Sequence, residues 1–232
     1  MKKNIVIVNY NTQNFVDKLI LSINKFVKDA KIFVFDNSDK VPFVNNFNNV
    51  TIIDNTKGQI INFEKFLDNY QSKTLSGGRL NNWASAKHCY TIEKCIDLFD
   101  ENFILLDSDV LLRKDISELF NDSYIYIAEE LTQPNGKKRV SPHLCFINVN
   151  LCKEHNIHYF DDRYMHGLCV SRGADEYDTG GAFLLNAKEL PHKNINYNDY
   201  IVHYGHGSWI QNGYKYELNP DEFFEKYKES WL

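Results

Sequence analysis

No run of apolar residues in this 232-residue chain is long enough to cross a bilayer. Met1-Lys2-Lys3-Asn4 leads straight into Ile5–Val8, which predicts a strand and not the core of a signal peptide. Cysteine is sparse and unpaired in its spacing. The five residues Cys89, Cys95, Cys145, Cys152 and Cys169 are odd in number and form no Cys-x-x-Cys, so a reduced, cytosolic compartment is expected. Positive charge is also short. The net charge is −5, and Lys137-Lys138-Arg139 is a cluster of three and not a stripe, which argues against a nucleic-acid partner. No internal repeat and no low-complexity linker breaks the chain.

Against these absences, 43% apolar and 25% charged residues describe an ordinary globular protein, long enough to bury a substantial core as one domain. Ile5–Val8 predicts a first buried strand, ending in Asn9-Tyr10-Asn11-Thr12. Thr12 or Asn11 can cap a helix over Gln13 to Val27, whose apolar positions Phe15, Val16, Leu19, Ile20 and Ile23 recur at helical spacing. Lys31–Phe35 is a second strand, closing on Asp36-Asn37-Ser38-Asp39. Strand, helix, strand predicts parallel pairing, with the loops after both strands at one sheet edge. Asn9, Asn11 and Asp36 then face one pocket, where Asp36 can accept hydrogen bonds from a ribose or a base. The alternative is a plain Asx-rich turn.

Asn49–Ile53 is a third strand. Gln59–Tyr70 and Trp83–Phe99 read as helices, the second containing His88, and Ser72–Arg79 as a polar stretch between them. Phe103–Leu106 is an apolar run of the kind buried on both faces of a parallel sheet, and it ends in Asp107-Ser108-Asp109. Open α/β sheets place ligands at that carboxyl end. Two carboxylates so close repel unless a cation or donors lie between them, and a divalent ion suits oxygen ligands. A helix cap is the competing use of either Asp.

The second half is less regular. Tyr124–Ala128 and Leu144–Val149 predict strands, and Asp115–Phe120 a helical turn. An acidic, turn-rich stretch with Asp175, Glu176 and Asp178 runs into Gly180-Gly181, and Ala182–Leu185 predicts a further strand. Cys152, His155 and His158, with Asp161 and Asp162 close behind, invite a zinc reading but match no finger spacing. Ile201–Trp209 brings His203 and His206 among small residues and an aromatic, which suits a site that closes over something. Asp221–Trp231 predicts an amphipathic helix.

In order and spacing, Ile-Val-Ile-Val-Asn-Tyr-Asn, Phe-Asp-Asn-Ser-Asp and Leu-Leu-Asp-Ser-Asp-Val resemble the nucleotide-sugar half of GT-A glycosyltransferases, with family-2-like inverting bacterial enzymes the nearest likeness. The resemblance covers Ile5 to about Leu112 well, and continues more weakly through Asp178–Gly181 and His203–Trp209. It implies a three-layer α/β/α sandwich with a Rossmann-like, mainly parallel sheet. Residues 1–112 would bind the nucleotide sugar, and residues 113–232, ending in the C-terminal helix, the acceptor. It implies a hexosyltransferase that uses a UDP- or GDP-linked donor and Mn²⁺ or Mg²⁺. The acceptor is a glycan, lipid-linked or protein hydroxyl, in surface glycan synthesis from the cytosolic side or at the membrane's inner face. By residue, Asp36 holds uracil or ribose, Asn9 and Asn11 line the nucleotide, and His88 faces the donor. Asp107 contacts ribose or metal-bound water, Asp109 ligates the metal, and His203, with His206 as rival, completes its shell. Asp178 is the first candidate for the base, followed by Asp175 and Glu176, although the acidic cluster precedes the glycine turn where the family carries it after one. Arg139 can contact the diphosphate or an anionic acceptor.

Three other readings compete. A haloacid-dehalogenase-like phosphatase would use Asp107 as nucleophile, but places that strand near the chain start. A nucleotidyltransferase begins with a glycine-rich basic loop where Asn9–Thr12 stands here. A GT-A-like domain that binds a nucleotide sugar without turnover shares every motif.

Overall fold

The computed structural model describes residues 2–66, 83–164, 177–205 and 218–229. Nine strands are β1 (Lys3–Asn9), β2 (Ala30–Asp36), β3 (Val50–Asp54), β4 (Phe103–Leu106), β5 (Val110–Leu112), β6 (Tyr126–Thr132), β7 (Lys138–Ile147), β8 (Lys193–Asn194) and β9 (Ile201–His203). The helices used below are α1 (Gln13–Phe26), α2 (Trp83–Leu98), α3 (Val149–Glu154), α4 (Gly181–Ala187) and α5 (Pro220–Lys228). Of the helix expected over Gln59–Tyr70, residues 63–66 are helical, residues 59–62 form a bend and an irregular stretch instead, and residues 67–70 lie outside the described residues together with Ser72–Arg79. None of the described helices is long and apolar enough to cross a membrane.

Seven strands form one sheet in the order β3-β2-β1-β4-β7-β6-β8, and β5 pairs with β9 in a second, small sheet. β1 to β4 are mutually parallel, β7 runs antiparallel to both β4 and β6, and β8 is parallel to β6. The main sheet is therefore mostly parallel, with β7 alone reversed. Side chains that alternate along each strand feed two cores. Val6, Val8, Phe103 and Leu105 pack with α2, α3 and α4 on one face. Ile5, Ile7, Ile104 and Leu106 pack with α1 on the other. The result is the expected α/β/α sandwich.

Two elements differ from their sequence reading. Ala182–Leu185, read as a strand, belongs to helix α4. A four-residue apolar run does not distinguish the two periods, and Phe183, Leu184 and Ala187, which are all buried, share one helical face. Gly180 opens that helix at φ +83, and a Cβ there would lie 2.1 Å from the Val140 carbonyl oxygen. The strand expected over Leu144–Val149 starts earlier, as ten-residue β7. Its pairing with β6 jumps from Ala128↔Cys145 to Glu130↔Val140, leaving Ser141 to Leu144 opposite Glu129 alone. Such a bulge tolerates Pro142 inside a strand and re-aims the residues beside it.

The mini-sheet is held from outside by α5. Phe223 and Phe224 pack on Leu111 of β5 and Val202 of β9. Asn219 caps α5 through hydrogen bonds from the backbone N–H groups of Asp221 and Glu222.

Candidate active site

Strand register brings the acidic pair to two histidines. β4 pairs with β7 so that Leu106 faces Leu144, which puts His143 opposite Asp107 one step further on. The Asp107 backbone N–H points at the His143 carbonyl, and His143 Nδ1 lies 2.7 Å from Asp107 Oδ2. β5 pairs with β9 so that Val110 faces His203. The Tyr204 N–H donates to the Asp109 carbonyl at 2.9 Å, and His203 Nε2 lies 3.3 Å from Asp109 Oδ1. His88, on α2, brings its Nε2 to 3.5 Å from Asp107 Oδ1, a separation too long for a well-made hydrogen bond. That nitrogen is buried and makes no hydrogen bond.

The electrostatics follow from this packing. Burial opposes the charge on Asp107, but the His143 hydrogen bond and the facing imidazoles of His88, His143 and His203 outweigh it and hold the carboxyl well below the usual range. Burial lowers the His88 pKa and favours its neutral imidazole, although Asp107 pulls the other way. For His203, burial also favours the neutral form, but the hydrogen bond to Asp109 and the charges of both carboxylates raise its pKa. One ligand atom each from Asp107, His143 and His203 lie within 4.8 Å of one another. Mixed carboxylate and imidazole donors at that spacing fit a divalent first-row ion. Among the described residues no other such cluster forms, and the zinc reading at Cys152, His155 and His158 gathers none. Cys152 is buried, and His158 Nδ1 pairs with Glu93 Oε1 at 2.6 Å.

These groups lie in a cavity of about 510 Å³ at the carboxyl end of the parallel strands. Its lining adds Tyr10, Thr12 and Asn37 from the loops after β1 and β2, Lys87 beside His88, and Arg139, Asp178 and Thr179. Lys87 Nζ sits 4.7 Å from the Tyr10 ring centre and 4.8 Å from that of Phe63. Burial lowers its pKa, and Asp39 acts against that shift. Arg139 donates to the Thr179 carbonyl at 3.2 Å and comes within 3.9 Å of Asp178 Oδ2. The Thr179 N–H in turn donates to Asp178 Oδ1 at 2.8 Å.

Asn9, Asn11 and Asp36 build the loops without lining the cavity. Asp36 Oδ1 accepts from Asn9 Nδ2 and from the Ser38 N–H and hydroxyl, while Oδ2 accepts from the Phe43 N–H. Asn9 Oδ1 accepts from the Thr12 N–H and hydroxyl, so Thr12 starts α1 without capping it by its side chain. Asn11, at φ +56, donates to Asp39 and accepts from the Lys40 and Val41 N–H groups. Asp175, Glu176 and His206 lie outside the described residues. Of the expected site residues, the structure thus gathers His88, Asp107, Asp109, Asp178 and His203 around one cavity. It adds His143, Lys87, Tyr10 and Asn37, which sequence reasoning missed. The register of an antiparallel strand beside Asp107 is the signal that finds His143, and no local motif carries it.

No family model matches the chain, and no curated sequence matches it either. Solved structures do. The galactosyltransferase LgtC, crystallised with donor and acceptor sugar analogues, is similar over 84% of this chain and 73% of its own, at 16% identity and a TM-score of 0.54. The glycosyltransferase GlyE of Streptococcus pneumoniae TIGR4 is similar over the whole chain at 12% identity and a TM-score of 0.55, and the chain spans 60% of its length. The bifunctional glycosyltransferase WbbM is similar over the whole chain at the same identity and TM-score, across 50% of its own length. The fold is that of the GT-A glycosyltransferases. Open α/β sheets in general place ligands at the carboxyl edge of their strands, the edge that carries Asp107 and Asp109 here.

Proposed function

We propose that this chain is a metal-dependent glycosyltransferase that moves a sugar from a nucleoside-diphosphate sugar to a hydroxyl acceptor in surface glycan synthesis. The observation that carries this reading is the convergence of Asp107, Asp109, His143 and His203 in the cavity at the carboxyl end of β4, with two cationic side chains, Lys87 and Arg139, in the same lining. Asn9, Asn11 and Asp36 act on the nucleotide through the loop shape they hold, while Tyr10, Thr12 and Asn37 meet it. Asp109 and His203 would hold the ion, and Asp107 would face the ribose or the ion's bound water. An ion held there would supply Lewis-acid stabilisation of the negative charge that develops on the leaving diphosphate. Lys87 and Arg139 add positive potential to the same pocket. His88 offers its unpaired Nε2 to a donor hydroxyl. Asp178 takes the proton from the acceptor hydroxyl, which reaches the cavity from the 113–232 half, and the sugar inverts.

A thermal-shift screen of UDP- and GDP-sugars with and without Mn²⁺ tests the reading. A donor at fifty-fold excess over its dissociation constant stabilises by about 2 kcal/mol, with Mn²⁺ or Mg²⁺ required for the full shift. Asp109→Ala keeps its fold by circular dichroism and loses the metal-dependent part. Steady phosphate release from a phosphomonoester, dependent on Asp107, would instead establish the phosphatase. Metal-dependent donor binding with no sugar transferred or hydrolysed would mark a binding module.

A further inference from the structure

The β7 bulge sets a second imidazole against the acidic pair, and that placement bears on which ion the site takes. The His143 and His203 ring centres are 3.9 Å apart with their planes 35° from parallel. Tyr197 packs in an edge-to-face contact with His143, with ring centres 5.2 Å apart. His143 Nδ1 lies 2.7 Å from Asp107 Oδ2, and the donors of Asp107, His143 and His203 all fall within 4.8 Å of one another. Two donors on adjacent corners of an octahedral ion, each ~2.1 Å from it, lie ~3 Å apart, and opposite donors ~4.2 Å. The three side chains therefore stand close enough together to converge on one ion.

We propose that His143 is a direct metal ligand, so that two imidazoles and the Asp107–Asp109 carboxylates make a nitrogen-rich site that selects Mn²⁺ or another first-row transition ion over Mg²⁺. Mg²⁺ prefers oxygen donors and sheds water reluctantly, whereas imidazole suits the transition ions. Ligation through Nδ1 places the ring proton of His143 on Nε2. The inference deepens the transferase reading and rests on its metal.

The test uses the full chain stripped with a chelator, reloaded with Mn²⁺ and free of nucleotide. Pulsed EPR counts the coordinated imidazole nitrogens, and calorimetry measures Mn²⁺ and Mg²⁺ affinity. Wild type shows two nitrogens. His143→Gln, whose amide still donates to Asp107, shows one, and its preference for Mn²⁺ over Mg²⁺ falls at least about tenfold, on the scale of losses at metal sites. His143→Ala, checked for folding by circular dichroism, behaves as the Gln variant does. One nitrogen in wild type, unchanged in His143→Gln, overturns the proposal and leaves His143 as a positioning residue for Asp107. Equal losses for both ions in His143→Ala that glutamine restores do the same. The transferase reading fails separately: Mn²⁺ held by two imidazoles, with no nucleotide sugar binding, leaves this ligand set standing without that function.

Discussion

Asp107 and Asp109 are one residue apart, yet the backbone turns them toward different partners. Asp107 faces His143 and His88, while Asp109 pairs with His203 across the mini-sheet. The raised pKa of His203 gives a pH dependence with a definite sign. Without metal, the imidazolium–Asp109 pair stabilises the fold below the ordinary histidine pKa near 6.5, and this contribution is lost as pH rises through the higher folded-state value. Metal affinity runs the opposite way, because the proton occupies the same Nε2 lone pair. Mn²⁺ affinity measured by calorimetry at pH 6 and pH 8 should rise on the order of tenfold with pH, the effect of displacing about one proton. His203→Asn should weaken binding and flatten the profile. A wild-type profile as flat as that of His203→Asn would remove His203 from the ligand set.

Elements were legible where one rule governed the whole segment. α1 shows an unbroken helical stripe, and β1, β2 and β4 are apolar runs closed by polar turns, so their parallel arrangement and the shared edge of their loops follow from sequence order. What escaped reading depends on long-range pairing. β7 is reversed and bulged, and His143 gains its place only from the Leu106↔Leu144 register. Helix α4 escaped for a related reason, since its start is set by contact between the Gly180 turn and β7. The Val140 N–H donates to the Gly180 carbonyl at 3.2 Å, and Gly181 fits against Tyr177, where a Cβ would lie 2.2 Å from the Tyr177 Cβ. Gly180→Ala combines a left-handed φ with a clash against backbone that has no side chain to swing aside. Strain of ~1–3 kcal/mol from the dihedral alone is joined by displacement of α4. Urea unfolding should therefore show a loss of at least ~3 kcal/mol, in the range of severe single substitutions. Asp178 and Thr179 shift with the turn, so donor binding should weaken as well. A loss below ~1 kcal/mol would mean the turn relaxes freely and does not anchor the site.

At the scale of the molecule, the sheet separates two cores, and all four described cysteines sit in the same one. Cys89 and Cys95 come from α2, Cys145 from β7 and Cys152 from α3, packed together on the face that α2, α3 and α4 cover. Burial pushes the thiols of Cys89 and Cys152 up to about 12, and those of Cys95 and Cys145 higher still. None carries a thiolate at pH 8 in the closed state, and the thiolate is the form that reacts. Alkylation must therefore await opening of the layer, and the four sites should label at one common rate when followed by peptide mass spectrometry. The layer also holds the site together. Lys87 and His88 ride on α2, and His143 rides on β7 two residues from Cys145, so on the proposed transferase reading opening of the layer dismantles the donor site. A nucleotide sugar with Mn²⁺ at fifty-fold excess over its dissociation constant should slow labelling at all four cysteines by about fifty-fold, because binding draws only on the closed state. If one thiol labels faster and ignores the ligand, that part of the layer opens by itself. In that case the cleft is coupled to the remaining three positions and not to the layer as a unit.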